Sequence, residues 1–187
     1  MDVRPGLTFG VNLANFGGED ASSSSNVERR RGVVAGGFLL IDVAGPLALQ
    51  PELLYVQKGQ RAEGDTFQGT VTITSKVDYI ELPMLVKLQV PVAGPITPTV
   101  FGGPSVGVNV NASEEVSRDG RSATQDFDDE IESTELGVHL GAGLDISTGT
   151  GILTVDVRYQ LGVNNIVSEG PGELKNRGIG IVGGFAF

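Results

Sequence analysis

Strict two-residue alternation is the feature that most limits what this chain can fold into. The stretch LTVDVRYQL places Leu153, Val155, Val157, Tyr159 and Leu161 on one parity and Thr154, Asp156, Arg158 and Gln160 on the other. Successive side chains of a strand point to opposite sides, so one face of this segment is apolar and the other carries an acid and a base. A barrel in water turns its apolar face inward, and a barrel in lipid turns it outward.

Eight segments read as strands: Val3–Leu13, Gly32–Asp42, Leu47–Gly59, Val77–Val90, Pro98–Ala112, Glu132–Ile146, Ile152–Asn164 and Arg177–Phe187. Their connections alternate in length. After the second, fourth and sixth come VAGP, PVAGPIT and STGTG, tight turns built from Gly and Pro. After the first, third, fifth and seventh come the long polar stretches ANFGGEDASSSSNVERR, QRAEGDTFQGTVTITS, SEEVSRDGRSATQDFDDEI and NIVSEGPGE. An even strand count, with long loops at one end and short turns at the other, is the layout of an outer-membrane barrel.

The fourth segment separates the two facings. Ile80, Leu82, Met84, Val86, Leu88 and Val90 share one parity, while Tyr79, Glu81, Pro83, Leu85, Lys87 and Gln89 share the other. Ten steps of about 3.3 Å, tilted by ~45°, span roughly 23 Å along the membrane normal, close to the ~25 Å apolar band of bacterial barrels. The non-apolar parity is also rich in small residues, as in Gly137, Gly141 and Gly143 beside His139 and Asp145, and in Gly178, Gly180, Gly184 and Ala186. Such residues suit a cramped lumen. Water-exposed antiparallel strands carry dense Lys, Glu and Thr, but only 19% of this chain is charged and much of that lies in the long connections. The reading is therefore an all-β, eight-stranded, antiparallel up-and-down transmembrane barrel, formed by residues 1–187 as a single domain. Its lumen is expected to be polar, packed and too narrow for a water-filled channel. Glu52, Lys58, Glu81, Lys87, Asp156 and Arg158 are expected to point inward and pair, with Glu52 or Glu81 near Lys58 or Lys87 because the third and fourth strands are neighbours.

Composition removes several function classes. The formal net charge is −10, which argues against nucleic acid as a partner. There are no cysteines, hence no disulfide framework or thiolate metal site, and no cofactor is expected. No run reaches the ~18 consecutive apolar residues of a membrane helix. DVRPGLTFG after Met1 lacks the basic start and apolar stretch of a leader, so the expectation is a mature chain, exported to the bacterial outer membrane with a signal peptide that is absent here.

LQPELLYVQKG, DYIELPMLVKLQV, PTVFGGPSVGV, VDVRYQLGVNNI and KNRGIGIVGGFAF, in that order along nearly the whole chain, resemble the PorT-like family of outer-membrane β-barrel domains. The third connection departs from that pattern in being long and acidic. The resemblance implies an eight-stranded barrel in a Gram-negative outer membrane, mostly without assigned activity, with some members linked to secretion. It implies outer-membrane lipid and the barrel assembly machinery as partners. It also gives Phe187, the terminal aromatic residue of a chain ending RGIGIVGGFAF, the role of an assembly signal. The long loops are expected to carry a structural or binding role with an unidentified protein partner. The alternatives from other classes are a soluble, lipocalin-like ligand carrier and an outer-membrane lipid hydrolase.

Apparent catalytic motifs have plainer explanations. GPSVG, Gly103 to Gly107, has the spacing of a nucleophile elbow, but that motif needs a following helix and VNVNA continues the strand. GIGIVG, Gly178 to Gly183, is followed by only four residues, too few for the helix that a dinucleotide loop requires. Ser105, His139 and Asp145 are the one set from which a hydrolase could be built. The acidic stretch DFDDEIE, Asp126 to Glu132, lacks the spacing and central Gly of a calcium loop and reads as solvated.

Overall fold

The structure, a computed structural model, describes residues 2–17, 27–66, 69–118, 121–126, 134–164 and 175–187. Among these residues nine strands follow one another: β1 (Asp2–Gly17), β2 (Val27–Ala44), β3 (Leu47–Thr66), β4 (Gly69–Gln89), β5 (Ile96–Arg118), β6 (Arg121–Asp126), β7 (Thr134–Ser147), β8 (Ile152–Gly162) and β9 (Lys175–Ala186). Every pairing is antiparallel. β1 closes on β9 and β4 joins β5, so eight strands form an up-and-down ring and β6 lies outside it, paired with β5 above β7. Closure satisfies the backbone of every strand at membrane depth, which is what lets a sheet exist in hydrocarbon. Gly45, Gly94 and Gly149 occupy left-handed conformations in the three short turns, where a Cβ would be strained.

Burial reverses the rule for a protein in water. Tyr79, Glu81, Pro83, Leu85 and Lys87 are buried, whereas Ile80, Leu82, Met84, Val86 and Leu88 on the same strand are exposed. Leu140 is 55% exposed, while Lys58 is 1% exposed. Similar rows of exposed Leu, Val, Ile and Phe run along β1, β7, β8 and β9. Together they make a continuous apolar belt far beyond what a water-facing surface tolerates. The soluble-carrier alternative needs the opposite facing and is overturned.

Two expectations are corrected. The polar stretches at residues 60–75 and 113–126 were expected to be loops, yet they are mostly strand: β3 and β4 pair up to Thr66↔Gly69, and β5 and β6 up to Arg118↔Arg121. Thr70, Val71, Thr72, Ile73 and Thr74 are residues that favour strands, and paired β-branched side chains extend a hairpin without an apolar face. Residues 127–132 of the acidic stretch, and most of the first and last long connections, lie outside the described residues. The lumen was also expected to be polar. Its β2, β3 and β9 side instead carries Val34, Phe38, Leu40, Leu54, Val56 and Val182, all buried. The segment GVVAGGFLL is apolar on both parities, so alternation does not reveal its inner face.

Candidate functional site

Inward parity on the remaining strands gathers charged side chains into two tiers. The tier nearer the short turns is built on Arg158 of β8. Its guanidinium donates to both oxygens of Glu52, at 2.5 and 3.0 Å, and to Asp156 Oδ2 at 2.8 Å. Gln50 donates to Glu52 Oε1 at 2.6 Å, and Lys87 Nζ donates to Asp145 Oδ1 at 2.6 Å. The Arg158 guanidinium also lies 5.4 Å from the centre of the Phe101 ring.

The tier nearer the long hairpins is built on Lys58 of β3. Its ammonium pairs with Glu81 and donates to the two oxygens of Glu135 at 3.0 and 3.1 Å. It also sits 4.8 Å over the ring of the fully buried Tyr79. Gln160 donates to the other side of this tier, at Glu81 Oε1, at 2.6 Å. A charge taken from water is tolerable when geometry and hydrogen bonds compensate it, and removing one partner of a buried pair costs about 3–5 kcal/mol. The glycines of β7 make room for these tiers: a Cβ at Gly141 would collide with the Phe101 ring, and one at Gly143 with the Asp156 carboxylate.

The structure thus places Lys58 with Glu81 on the neighbouring strands β3 and β4, and Glu52 with Arg158 across the lumen from β3 to β8. Asp156 joins Arg158, and Lys87 pairs with Asp145. Sequence reasoning missed Glu135 as a partner and assigned Asp145 only to a hydrolase. Both sit on β7, which does not adjoin β3 or β4, so neighbour logic could not find them. Their inward parity with His139 was the available signal.

The hydrolase set is not assembled. Ser105 and His139 are both buried on adjoining strands, but neither ring nitrogen of His139 has a hydrogen-bond partner among the described residues. Asp145 is six residues from His139 along β7, roughly 20 Å at strand rise, and is engaged by Lys87. Among the described residues no cluster of three or more His, Asp or Glu side chains is arranged to hold a metal.

On the outside, the belt ends at a polar girdle. Tyr55 donates its hydroxyl to Asp78 Oδ2 at 2.8 Å, Gln57 donates to the Tyr55 hydroxyl oxygen at 3.2 Å, and Lys76 pairs with Glu115 at 2.6 Å. Aromatic and polar residues of this kind suit the membrane–water boundary. The β4–β5 register shifts here, between Asp78 and Tyr79, a β-bulge that bends and re-aims the sheet. Beyond the girdle, β3, β4, β5 and β6 continue as a paired sheet. One register row across it reads Val27, Ala62, Ile73, Val116 and Ala123, with Ile73 and Val116 exposed.

Phe187 lies at the other end, beside the seam that closes the ring. Its backbone N–H donates to Pro5 O at 2.9 Å, its side chain is exposed, and its ring meets that of Phe185 edge-on at 5.3 Å.

Comparison with known proteins agrees with this architecture. A family described as "Outer membrane protein beta-barrel domain" matches residues 2–168. Comparison with curated proteins gave no match. Among solved structures, Neisserial surface protein A (NspA) is similar at 10% identity and a TM-score of 0.54, covering 100% of both chains. Ail, the attachment invasion locus protein of Yersinia pestis, solved with the heparin analogue sucrose octasulfate, is 12% identical with a TM-score of 0.49 and 100% coverage of both chains. OprG from Pseudomonas aeruginosa is 10% identical with a TM-score of 0.49, covering 99% of this chain and 94% of its own. At this identity the NspA match speaks to fold alone.

Proposed function

This chain belongs to the outer membrane protein beta-barrel domain family, and from that premise we propose that it is a membrane-embedded scaffold whose outer hairpin sheet binds a protein partner. The observation that supports this reading is the contrast between an interior crossed by ion pairs and a paired sheet built outside the belt. Two tiers of ion-paired side chains cross the lumen, and β3, β4 and β5 continue in register past the belt, joined there by β6. A channel needs an open interior. A docking module needs a rigid surface in water, and a paired sheet is stiffer than a loop. Placement in the PorT-like branch, where some members are linked to secretion, is the finer form of the same proposal.

A photo-crosslinking amino acid at Thr72 or Thr124, in the protein expressed on cells, tests the binding role. The expected result is a discrete protein adduct from these positions and none from Met84 in the belt. Absence of any adduct from the hairpin positions would reject it. Purified protein in planar bilayers should show no steady ionic conductance.

Phe187 is proposed to be read by the barrel assembly machinery on the closing strand. Deleting Phe185–Phe187 should reduce outer-membrane recovery in cells far more than refolding of purified chain into detergent. Equal recovery of the two proteins in cells would remove that role.

A further inference from the structure

A gap remains between the two tiers of lumen charge. Glu81, His139, Arg158 and Gln160 line one side of it, and Asn12 of β1 with apolar side chains of β2, β3 and β9 completes the lining. Its cavity volume is about 20 Å³, room for about one water. Four buried atoms of the lining residues have no hydrogen-bond partner among the described residues: Glu81 Oε2, Arg158 Nε and both ring nitrogens of His139. Glu81 Oε2 and His139 Nε2 are 3.5 Å apart, at the far limit of a direct bond. Buried polar groups left unpaired are rare and costly, and ordered water is the usual remedy.

The chemistry of the lining selects the occupant. An ionised carboxylate only accepts hydrogen bonds, an arginine Nε–H only donates, and a neutral imidazole does one of each. A small cation would satisfy Glu81 but meet the Arg158 guanidinium, while an anion would satisfy Arg158 but meet the Glu81 carboxylate. A molecule that both donates and accepts can serve Glu81, Arg158 and the His139 ring nitrogen that faces Glu81. We infer that this gap is a binding site for a single water molecule, held by Glu81, His139 and Arg158, that joins the outer tier to the inner one. Lys58, Glu81, Arg158 and Asp156 then belong to one continuous hydrogen-bonded network.

His139 is the chain's only histidine, so ¹⁵N-histidine labelling gives a single imidazole signal that reports on the gap. The filling variant is Gly180→Ala, on the gap's lining. A Cβ there would lie 3.4 Å from Val11 O and 3.8 Å from Val182 Cγ2, close enough to narrow the gap without a collision. In a strand, replacing Gly by Ala ordinarily stabilises. The expected result is cross-relaxation between the His139 imidazole and a bound water in the native barrel. Gly180→Ala should abolish that signal and lower Tm by several degrees, because it displaces the water and strands its partners. A native imidazole with no water contact overturns the inference, as does a Gly180→Ala barrel that melts higher, the behaviour of a dry void that has been filled.

Discussion

Two stretches of β4 have the same backbone pairing and opposite side-chain logic. From Ile80 to Leu88 exposed apolar residues alternate with buried Glu81, Leu85 and Lys87, whereas from Val71 to Lys76 both parities are polar or β-branched and none is fully buried. The β3–β4 and β4–β5 ladders run through both stretches. Hydrogen bonding sets where strand continues, and the surrounding medium sets which side chains each face accepts. In lipid the outer face must be apolar and the charged inner face must neutralise itself. In water neither demand applies, so the outer hairpins are free to diversify.

The largest effect is expected at the inner tier. Arg158→Leu leaves Glu52 and Asp156 buried without their shared cation, and a loss of about 3–5 kcal/mol is expected, read as a large fall in the denaturation midpoint of the refolded barrel. An unchanged midpoint would mean that the tier is hydrated and not packed. Leu140→Arg on the lipid face comes next. Charge near the midplane costs about 2–4 kcal/mol in such barrels, measurable as reduced folding into phospholipid vesicles, whereas the same change at a water-facing site would cost almost nothing.

Lys87→Met sharpens the argument because it keeps volume and removes charge. Asp145 then loses its partner, and a clear fall in melting temperature is expected. Native Lys87 should resist bulky amine reagents in the folded barrel, and ready modification would contradict its burial. The smallest effect is expected in the outer sheet: Thr72→Lys should stay within about ±0.5 kcal/mol, as surface substitutions do. A loss comparable to that of Leu140→Arg would show that lipid extends past the girdle.

Legibility in the sequence follows the same division. Within the belt, two media act on alternate residues, so Leu153 to Leu161 and Ile80 to Leu88 declare strand, facing and membrane together. Above the belt water lies on both faces, alternation vanishes, and TVTIT passes for a loop although its β-branched residues favour strand. The Lys58–Glu81 pair is within reach of strand order because β3 and β4 adjoin. Lys58–Glu135 and Lys87–Asp145 are different: they cross the lumen between strands that never pair, and height along the barrel axis depends on stagger that no local pattern records. The apolar flank of the lumen is hidden for a third reason. Where both faces of β2 meet apolar surroundings, lipid outside and Leu54 or Val182 inside, period two leaves no trace.

The most direct test of the central claim is solvent access along β4. The chain has no native cysteine, so single-cysteine spin labels at Leu82, Met84, Val86, Thr72 and Thr74, in protein reconstituted into lipid bilayers, report each position alone. The account predicts that labels at Leu82, Met84 and Val86 are relaxed by membrane-dissolved oxygen and shielded from a water-soluble nickel chelate, and that labels at Thr72 and Thr74 show the reverse. Ready access of the nickel chelate to Met84 in the folded, lipid-bound protein would contradict it.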